Sequence, residues 1–246
     1  MRFLILSDIH ANIEALEAVM ADANGSYDQI VCCGDLVGYN PDPAAIVEWT
    51  EARCASVIRG NHDKVVAGID DLEWFNPAAQ ASARWTKAQL SSTQLEYLHN
   101  LPQGPRAVDG FDIIHGAPFD EDEYVVSTES AADSFASLRG ELAFFGHSHL
   151  QGGYFQKRRH VGHLDHVRAG EPELTIVLEH DTLYLVNPGS VGQPRDGDPR
   201  AAYAVYDTES RWLQFRRVTY DIELTAAKIR KAGLPDVLGM RLFRGQ

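Results

Sequence analysis

The sequence predicts an α/β fold: one domain in which two β-sheets face each other and helices flank them. Three observations carry this. Residues 1–60 alternate short apolar runs with helical patterns. After residue 150 the chain becomes strand after strand, joined by tight turns. No repeat, low-complexity tract or linker divides the 246 residues, a length that one α/β sandwich can use in full.

Taken in order, "RFLILS" (2–7) is a short apolar run, a buried strand. "ANIEALEAVMADA" (11–23) places Ile13, Leu16, Val19 and Met20 on one helical stripe. "DQIVCCG" (28–34) returns to strand, and "DPAAIVEWTEA" (42–52) is helical with Pro43 in its first turn. "CASVIRG" (54–60) is a third strand. Strands separated by helices of this length imply right-handed βαβ units and a parallel core. Residues 77–100 read as two helices, with Ser91 or Ser92 capping the second. Residues 111–116 and 142–147 are strands, with a helix over 128–139 between them. "GGYFQ", "LTIVLEHDTLYLVN" and "AAYAVYDTESRWLQFRRV" read as antiparallel strands, with hairpin tips at 180–181 and 208–210 and a closing helix over 221–232. The stretch 157–170, "KRRHVGHLDHVRAG", is expected to be an exposed hairpin or flap. Its spaced His160, His163 and His166 invite a third metal site, but Gly162 and Gly170 argue against the rigid helical face this would need.

Composition narrows the function. The chain is 44% hydrophobic and 23% charged, ordinary for a globular protein. No stretch approaches the ~20 apolar residues of a membrane span. The opening "MRFLILSDIH" reads as a first strand rather than a secretory signal, so the expectation is a cytoplasmic protein without membrane contact. Cys32 and Cys33 are neighbours, so on a strand they face opposite sides. With Cys54 in an apolar run, all three read as reduced packing residues. A net charge of −13 repels a phosphate backbone and argues against duplex nucleic acid. It does not exclude a small phosphate ester, because bound divalent cations can dominate the local field.

The strand ends carry the informative pattern. "FLILSDIH" ends in Asp8 and His10, "IVCCGD" in Asp35, and "VIRGNHD" in Asn61, His62 and Asp63. "FDIIHG" ends in His115, and "LAFFGHSH" in His147 and His149. Ligand crevices of open α/β sheets lie at the carboxyl ends of the strands, so parallel strands would bring these groups to one edge. Asp8 and Asp35 would repel each other there, and buried polar groups without partners are costly. Two divalent cations resolve the conflict. Imidazole and carboxylate suit zinc, iron or manganese, and two metals ~3.5–4 Å apart form the clamp used for phosphoryl displacement. One carboxylate must bridge them.

The set Asp8-x-His10, Gly34-Asp35, Gly60-Asn61-His62-Asp63, His115 and Gly146-His147-x-His149 resembles the calcineurin-like metallophosphoesterases. "GDLVGYNPDP" (34–43) and "NPGSVGQPRDGDPRAAYAV" (187–205) further resemble small single-domain members from bacteria and archaea. The resemblance implies a four-layer α/β/β/α sandwich with two facing mixed β-sheets. It implies that Asp8, His10 and His149 hold one metal, that Asn61, His115 and His147 hold the other, and that Asp35 bridges. On an extended segment, residues i and i+2 project to one side, so "HSH" can give one imidazole to each cation while Ser148 turns away. His62 would contact the substrate phosphoryl and protonate the departing oxygen, with Asp63 orienting its ring. A metal-held hydroxide would be the nucleophile.

Around this centre, Arg195 in "GQPRDGDPR" offers a planar fork to phosphate oxygens, or is a solvated loop arginine. Tyr39 and Asn40 line the pocket or belong to an ordinary loop. Asn12 caps the first helix or supports the metal shell, and Asn187 contacts that shell indirectly. The expected activity is hydrolysis of a small-molecule phosphate ester with two divalent transition-metal ions (Mn, Fe or Zn). The runner-up is a dinucleoside polyphosphate hydrolase, and the other class is a non-catalytic scaffold on the same fold.

Overall fold

The computed structural model describes residues 1–246. Strands β1 (Arg2–Leu6), β2 (Gln29–Cys32) and β3 (Ser56–Val57) run parallel and are joined by helices α1 (Ile13–Asp22) and α2 (Pro43–Arg53). Helices α3 (Asn61–Ala67), α4 (Pro77–Gln89) and α5 (Ser92–Asn100) come next, with a 3-10 turn at Leu72–Trp74. The chain then builds β4 (Arg106–Ala107), β5 (Asp112–Ile113), α6 (Thr128–Ala136), β6 (Leu142–Phe144) and the hairpin of β7 (Gly152–Lys157) and β8 (His160–Leu164). It ends with β9 (Glu173–Val177), β10 (Leu183–Asn187), β11 (Ala201–Asp207), β12 (Trp212–Val218), α7 (Ile222–Lys231) and α8 (Asp236–Leu242). Two mixed six-stranded sheets result, ordered β3-β2-β1-β11-β12-β9 and β4-β5-β6-β10-β7-β8.

Side-chain alternation along β1 builds the layers. Phe3 and Ile5 point between the sheets, where they meet Phe111, Ile113, Phe144, Val186 and Phe215. Leu4 and Leu6 point the other way, onto Leu16 and Val19 of α1 and Ile46 and Val47 of α2. Beyond the second sheet, Ala143, Phe145 and Leu185 pack on Ala131 and Phe135 of α6. Each fully buried Phe or Leu contributes roughly 1.5–3 kcal/mol relative to exposure. Cys32 lies in the outer layer and Cys33 in the inter-sheet layer, both without a bridge, as the strand alternation predicts. No helix is long and apolar enough to cross a membrane.

The structure corrects three readings. Residues 180–181 are not a hairpin tip: β9 pairs with β12 and β10 with β6 and β7, so this turn carries the chain from one sheet to the other. A period-two pattern marks a strand but not its partner. The third strand spans two residues, because Arg59 N leaves the ladder to donate to Pro102 O at 2.9 Å. Helix α8 extends the chain beyond the expected closing helix. Residues 157–164 do form the exposed hairpin, but Lys157 is ion-paired with Glu179, and His160, His163 and His166 belong to no metal-sized cluster.

One buried ion pair fastens the 194–200 loop to the first sheet. Arg217 on β12 is 4% exposed. It pairs with Asp196 and donates to Gln151 Oε1 at 3.1 Å and Arg200 O at 3.3 Å. Asp196→Ala would leave this guanidinium buried without its counter-charge. Urea unfolding should show a loss of about 3–5 kcal/mol, the usual cost of removing one partner of a buried pair.

Candidate active site

Asp8 and His10 lie just past β1, Asp35 just past β2, and Asn61 and His62 open α3 beyond β3. His115 lies past β5, and His147 and His149 past β6. Carboxyl ends of strands from both sheets therefore meet at one edge. The ligand-bearing turns are tight. Asp8 (φ 52°), His10 (φ 47°), Asp35 (φ 54°), His147 (φ 64°) and His149 (φ 60°) are all left-handed. The extended "HSH" expected from sequence is thus corrected: a left-handed residue at each end, not strand geometry, brings the two imidazoles round. Such residues cost of order 1–3 kcal/mol each and persist only where surrounding bonds fix them. Here His10 N donates to Asp35 O at 3.0 Å, and His147 N to Asp8 Oδ1 at 3.1 Å. Gly146 is required beside them, since a Cβ there would overlap Ser7 Oγ and lie 2.7 Å from Asp8 Oδ2.

Each of four imidazoles commits one nitrogen to a backbone carbonyl. His10 Nδ1 donates to Val37 O (2.9 Å), His115 Nδ1 to Cys33 O (2.8 Å), His149 Nδ1 to Gln193 O (2.5 Å) and His147 Nε2 to Asp122 O (3.1 Å). The other nitrogen of each ring then points inward, and presents a lone pair there whenever the ring is neutral. His10 Nε2 faces His149 Nε2 at 3.2 Å and Asp35 Oδ2 at 3.4 Å. His149 Nε2 faces Asp8 Oδ1 at 3.4 Å, and His115 Nε2 faces Asp35 Oδ2 at 3.5 Å and Asn61 Oδ1 at 3.2 Å. Asp8 Oδ2 is buried without any partner. Acceptors confront acceptors, an arrangement that a cation between them relieves. The donors form two groups sized for one ion each: Asp8, His10, Asp35 and His149, and Asp35, His115 and His147.

The titrations express the same frustration. Burial drives the Asp8 carboxyl up to about 7 against the pull of His115. Burial also acts to raise Asp35, yet the His115, His62 and His10 rings hold it well below the usual carboxylate range. Burial opposes protonation of His115, but Asp35 and Asp8 lift it to about 10, so a proton there is the chain's own compensating charge. Burial pushes His10 down to about 4 and His147 to about 3.

Residues 1–211 match the calcineurin-like phosphoesterase superfamily domain. The chain belongs to that superfamily. It is 37% identical over 247 residues to an uncharacterized protein of Methanocaldococcus jannaschii, covering 98% of this chain and 97% of that one. The crystal structure of a metallophosphoesterase from Sphaerobacter thermophilus is 38% identical, with a TM-score of 0.85 over 100% of this chain and 99% of that one. A hypothetical protein from Pyrococcus horikoshii shares the fold at 19% identity, with a TM-score of 0.78 over 100% and 98% of the two chains.

In this calcineurin-like chain the remaining site residues divide. His62 is 3% exposed, its Nδ1 has no hydrogen-bond partner, and it lines a cavity of about 430 Å³. Asp63 does not orient it. The Asp63 carboxylate accepts from Leu36 N (3.0 Å), Val37 N (3.2 Å) and Gly60 N (2.9 Å), so it ties α3 to the β2 loop instead. The His62 ring is held by ring packing, with centroids 4.4 Å from Tyr39, 4.4 Å from Phe75 and 4.8 Å from His10. Gly38 lies against its Nδ1, where a Cβ would come within 2.5 Å. Arg195 lines the cavity, donating to Tyr39 Oη at 3.2 Å and Gln193 Oε1 at 3.1 Å. Tyr39 therefore belongs to the pocket rather than to a surface loop. Asn12 caps α1 through Ala15 N at 3.2 Å and also donates to Gly192 O at 3.0 Å, whose N–H bonds Asp8 O at 2.9 Å. Asn187 donates to Gly146 O (3.1 Å) and Ser148 Oγ (3.0 Å), bracing the "HSH" turn. Sequence reasoning missed Phe75, and Tyr124, which stacks on His147 at 3.8 Å. An aromatic residue between predicted elements carries no mark of what it touches.

Proposed function

We propose that the chain hydrolyses small-molecule phosphate esters with two divalent cations held in the aspartate–histidine cage. The observation that carries this is the inward convergence of lone pairs from His10, His149, His115, Asp8 and Asp35, each ring oriented by a backbone carbonyl. Asp8, His10 and His149 would hold one ion, Asn61, His115 and His147 the other, and Asp35 both. When bound, the two ions supply Lewis acidity toward phosphoryl oxygens and a water acidic enough to react near neutral pH.

The chain's own residues do the rest. Arg195, braced by Tyr39 and Gln193, presents its fork to a phosphoryl oxygen. His62 delivers a proton to the departing oxygen as the P–O bond breaks, while the oxygen of water becomes bonded to phosphorus. Burial holds His62 down at about 3. An anionic phosphoryl group beside it acts in the opposite direction, so protonation is coupled to substrate binding.

Purified chain loaded with Mn²⁺, Fe²⁺ or Zn²⁺ should hydrolyse p-nitrophenyl phosphate or its bis-ester, with about two ions bound per chain. Chelation should abolish the activity, and metal should restore it. Inactivity of the loaded protein across a broad phosphate-ester panel would favour the non-catalytic scaffold.

A further inference from the structure

Two loops frame the mouth of this cavity and share one composition, a run of carboxylates ending in an open aromatic ring. One is Asp70-Asp71-Leu72-Glu73-Trp74, the other Asp120-Glu121-Asp122-Glu123-Tyr124. Asp70, Asp71 and Trp74 from the first, and Asp122 and Tyr124 from the second, line the cavity. Trp74 is 88% exposed, so no packing role explains it, and Tyr124 is 45% exposed. Only two cations answer the acids. Lys64 reaches Asp70 (3.5 Å), Glu121 (3.2 Å) and Asp122 (2.5 Å), and Arg59 reaches Glu121 (2.8 Å). Asp71, Glu73, Asp120 and Glu123 pair with none. Arg195, the one cation lining the cavity, donates to Tyr39 and Gln193 and lies beside the Tyr124 hydroxyl, but pairs with none of these carboxylates.

An independent observation at the floor gives the ligand its direction. The His62 ring is 3% exposed, lines the cavity and makes no hydrogen bond with the protein. If it meets the departing oxygen, the leaving group lies beside it. The His62 ring packs on Phe75 at 4.4 Å, and Phe75 adjoins Trp74. The leaving group is thus directed out between the acidic, aromatic loops.

We infer that the leaving group carries an organic ammonium ion, making the substrates phosphoesters of amino alcohols; this rests on the proposed phosphoesterase activity. Carboxylates attract the cation at range, and the exposed Trp74 ring, with the side of Tyr124 that is not stacked on His147, binds it at contact. The same rim repels further phosphates, so nucleoside triphosphates and dinucleoside polyphosphates would meet it with like charge.

The test uses the metal-loaded chain and charge-matched pairs of esters. Choline phosphate is compared with its uncharged isostere 3,3-dimethylbutyl phosphate, and the methyl diesters of both alcohols are compared likewise, with release of choline or 3,3-dimethylbutanol as the readout so that the tested group is the one that departs. In at least one pair, kcat/KM should favour the cationic ester by about tenfold, the worth of a partly desolvated cation–π contact. The ratio should shrink with rising ionic strength, and should fall toward one in Trp74→Ala and Asp71→Asn. Choline phosphate should quench tryptophan fluorescence in the wild type and much less in Trp74→Ala. Equal or faster turnover of the neutral ester, a preference for ATP, or a ratio insensitive to both substitutions overturns the inference and leaves phosphoester hydrolysis standing. If the loaded chain cleaves none of these esters, nor p-nitrophenyl phosphate, both readings fall.

Discussion

Replacing His62 with alanine should lower kcat by about 10²–10⁴-fold, the range contributed by a positioned proton donor, while metal content stays at the wild-type level. The structure separates these two quantities. The His62 side chain bonds none of the aspartates or histidines of the cage, and its link to Asp35 runs through its backbone N–H, at 2.9 Å from Oδ1. Alanine keeps that N–H. What is lost is a ring packed against Tyr39, Phe75 and His10, together with the only imidazole in the cavity without a partner. The deficit should grow with the basicity of the leaving group. A p-nitrophenyl ester departs as a stable anion and needs the proton least, whereas an alkyl ester needs it most. Measured turnover of both ester types, with metal assayed in parallel, decides the matter. An alkyl ester cleaved at the wild-type rate would remove His62 from the chemistry.

Substituting Asp35 with asparagine should have the larger effect on the metal. Asp35 is the one residue common to both ion-sized groups of donors. Its Oδ2 lies 3.4 Å from His10 Nε2 and 3.5 Å from His115 Nε2, so one carboxylate serves both halves. An amide of the same shape retains one acceptor oxygen but loses the charge and the second oxygen. Bound metal should fall well below two ions per chain. Activity should fall by at least about 10³-fold, equivalent to several kcal/mol of lost charge stabilisation. Elemental analysis after gel filtration gives the first number, and initial rates at saturating metal give the second. Retention of two tightly bound ions by the Asn variant would show that the ions, if bound, do not share this residue.

Much of this was legible in the sequence because the relevant signals are local. Apolar runs that stop at Asp, Asn or His mark strand ends, and of the nine residues named from them the fold brings Asp8, His10, Asp35, Asn61, His115, His147 and His149 into one cluster. Adjacent Cys32 and Cys33 fall on opposite faces as strand periodicity requires. What escaped were relations set by tertiary partners. The sequence "GNHD" places Asp63 beside His62, but three backbone amides from elsewhere claim its carboxylate. The "HSH" spacing is right while its backbone is left-handed, because the bonds of Asp8 and His115 to that turn override local preference. The carbonyls that orient the rings, Val37, Cys33, Gln193 and Asp122, belong to residues whose side chains give no hint of the task.

The cage straddles the seam between the two sheets. Asp8, His10 and Asp35 hang from the first, and His115, His147 and His149 from the second. Any ion seated there rivets the halves of the sandwich to each other, and its binding energy is added to the cohesion of the native state. Starvation for metal would then do more than silence such a molecule: it would loosen the joint along which the two halves meet.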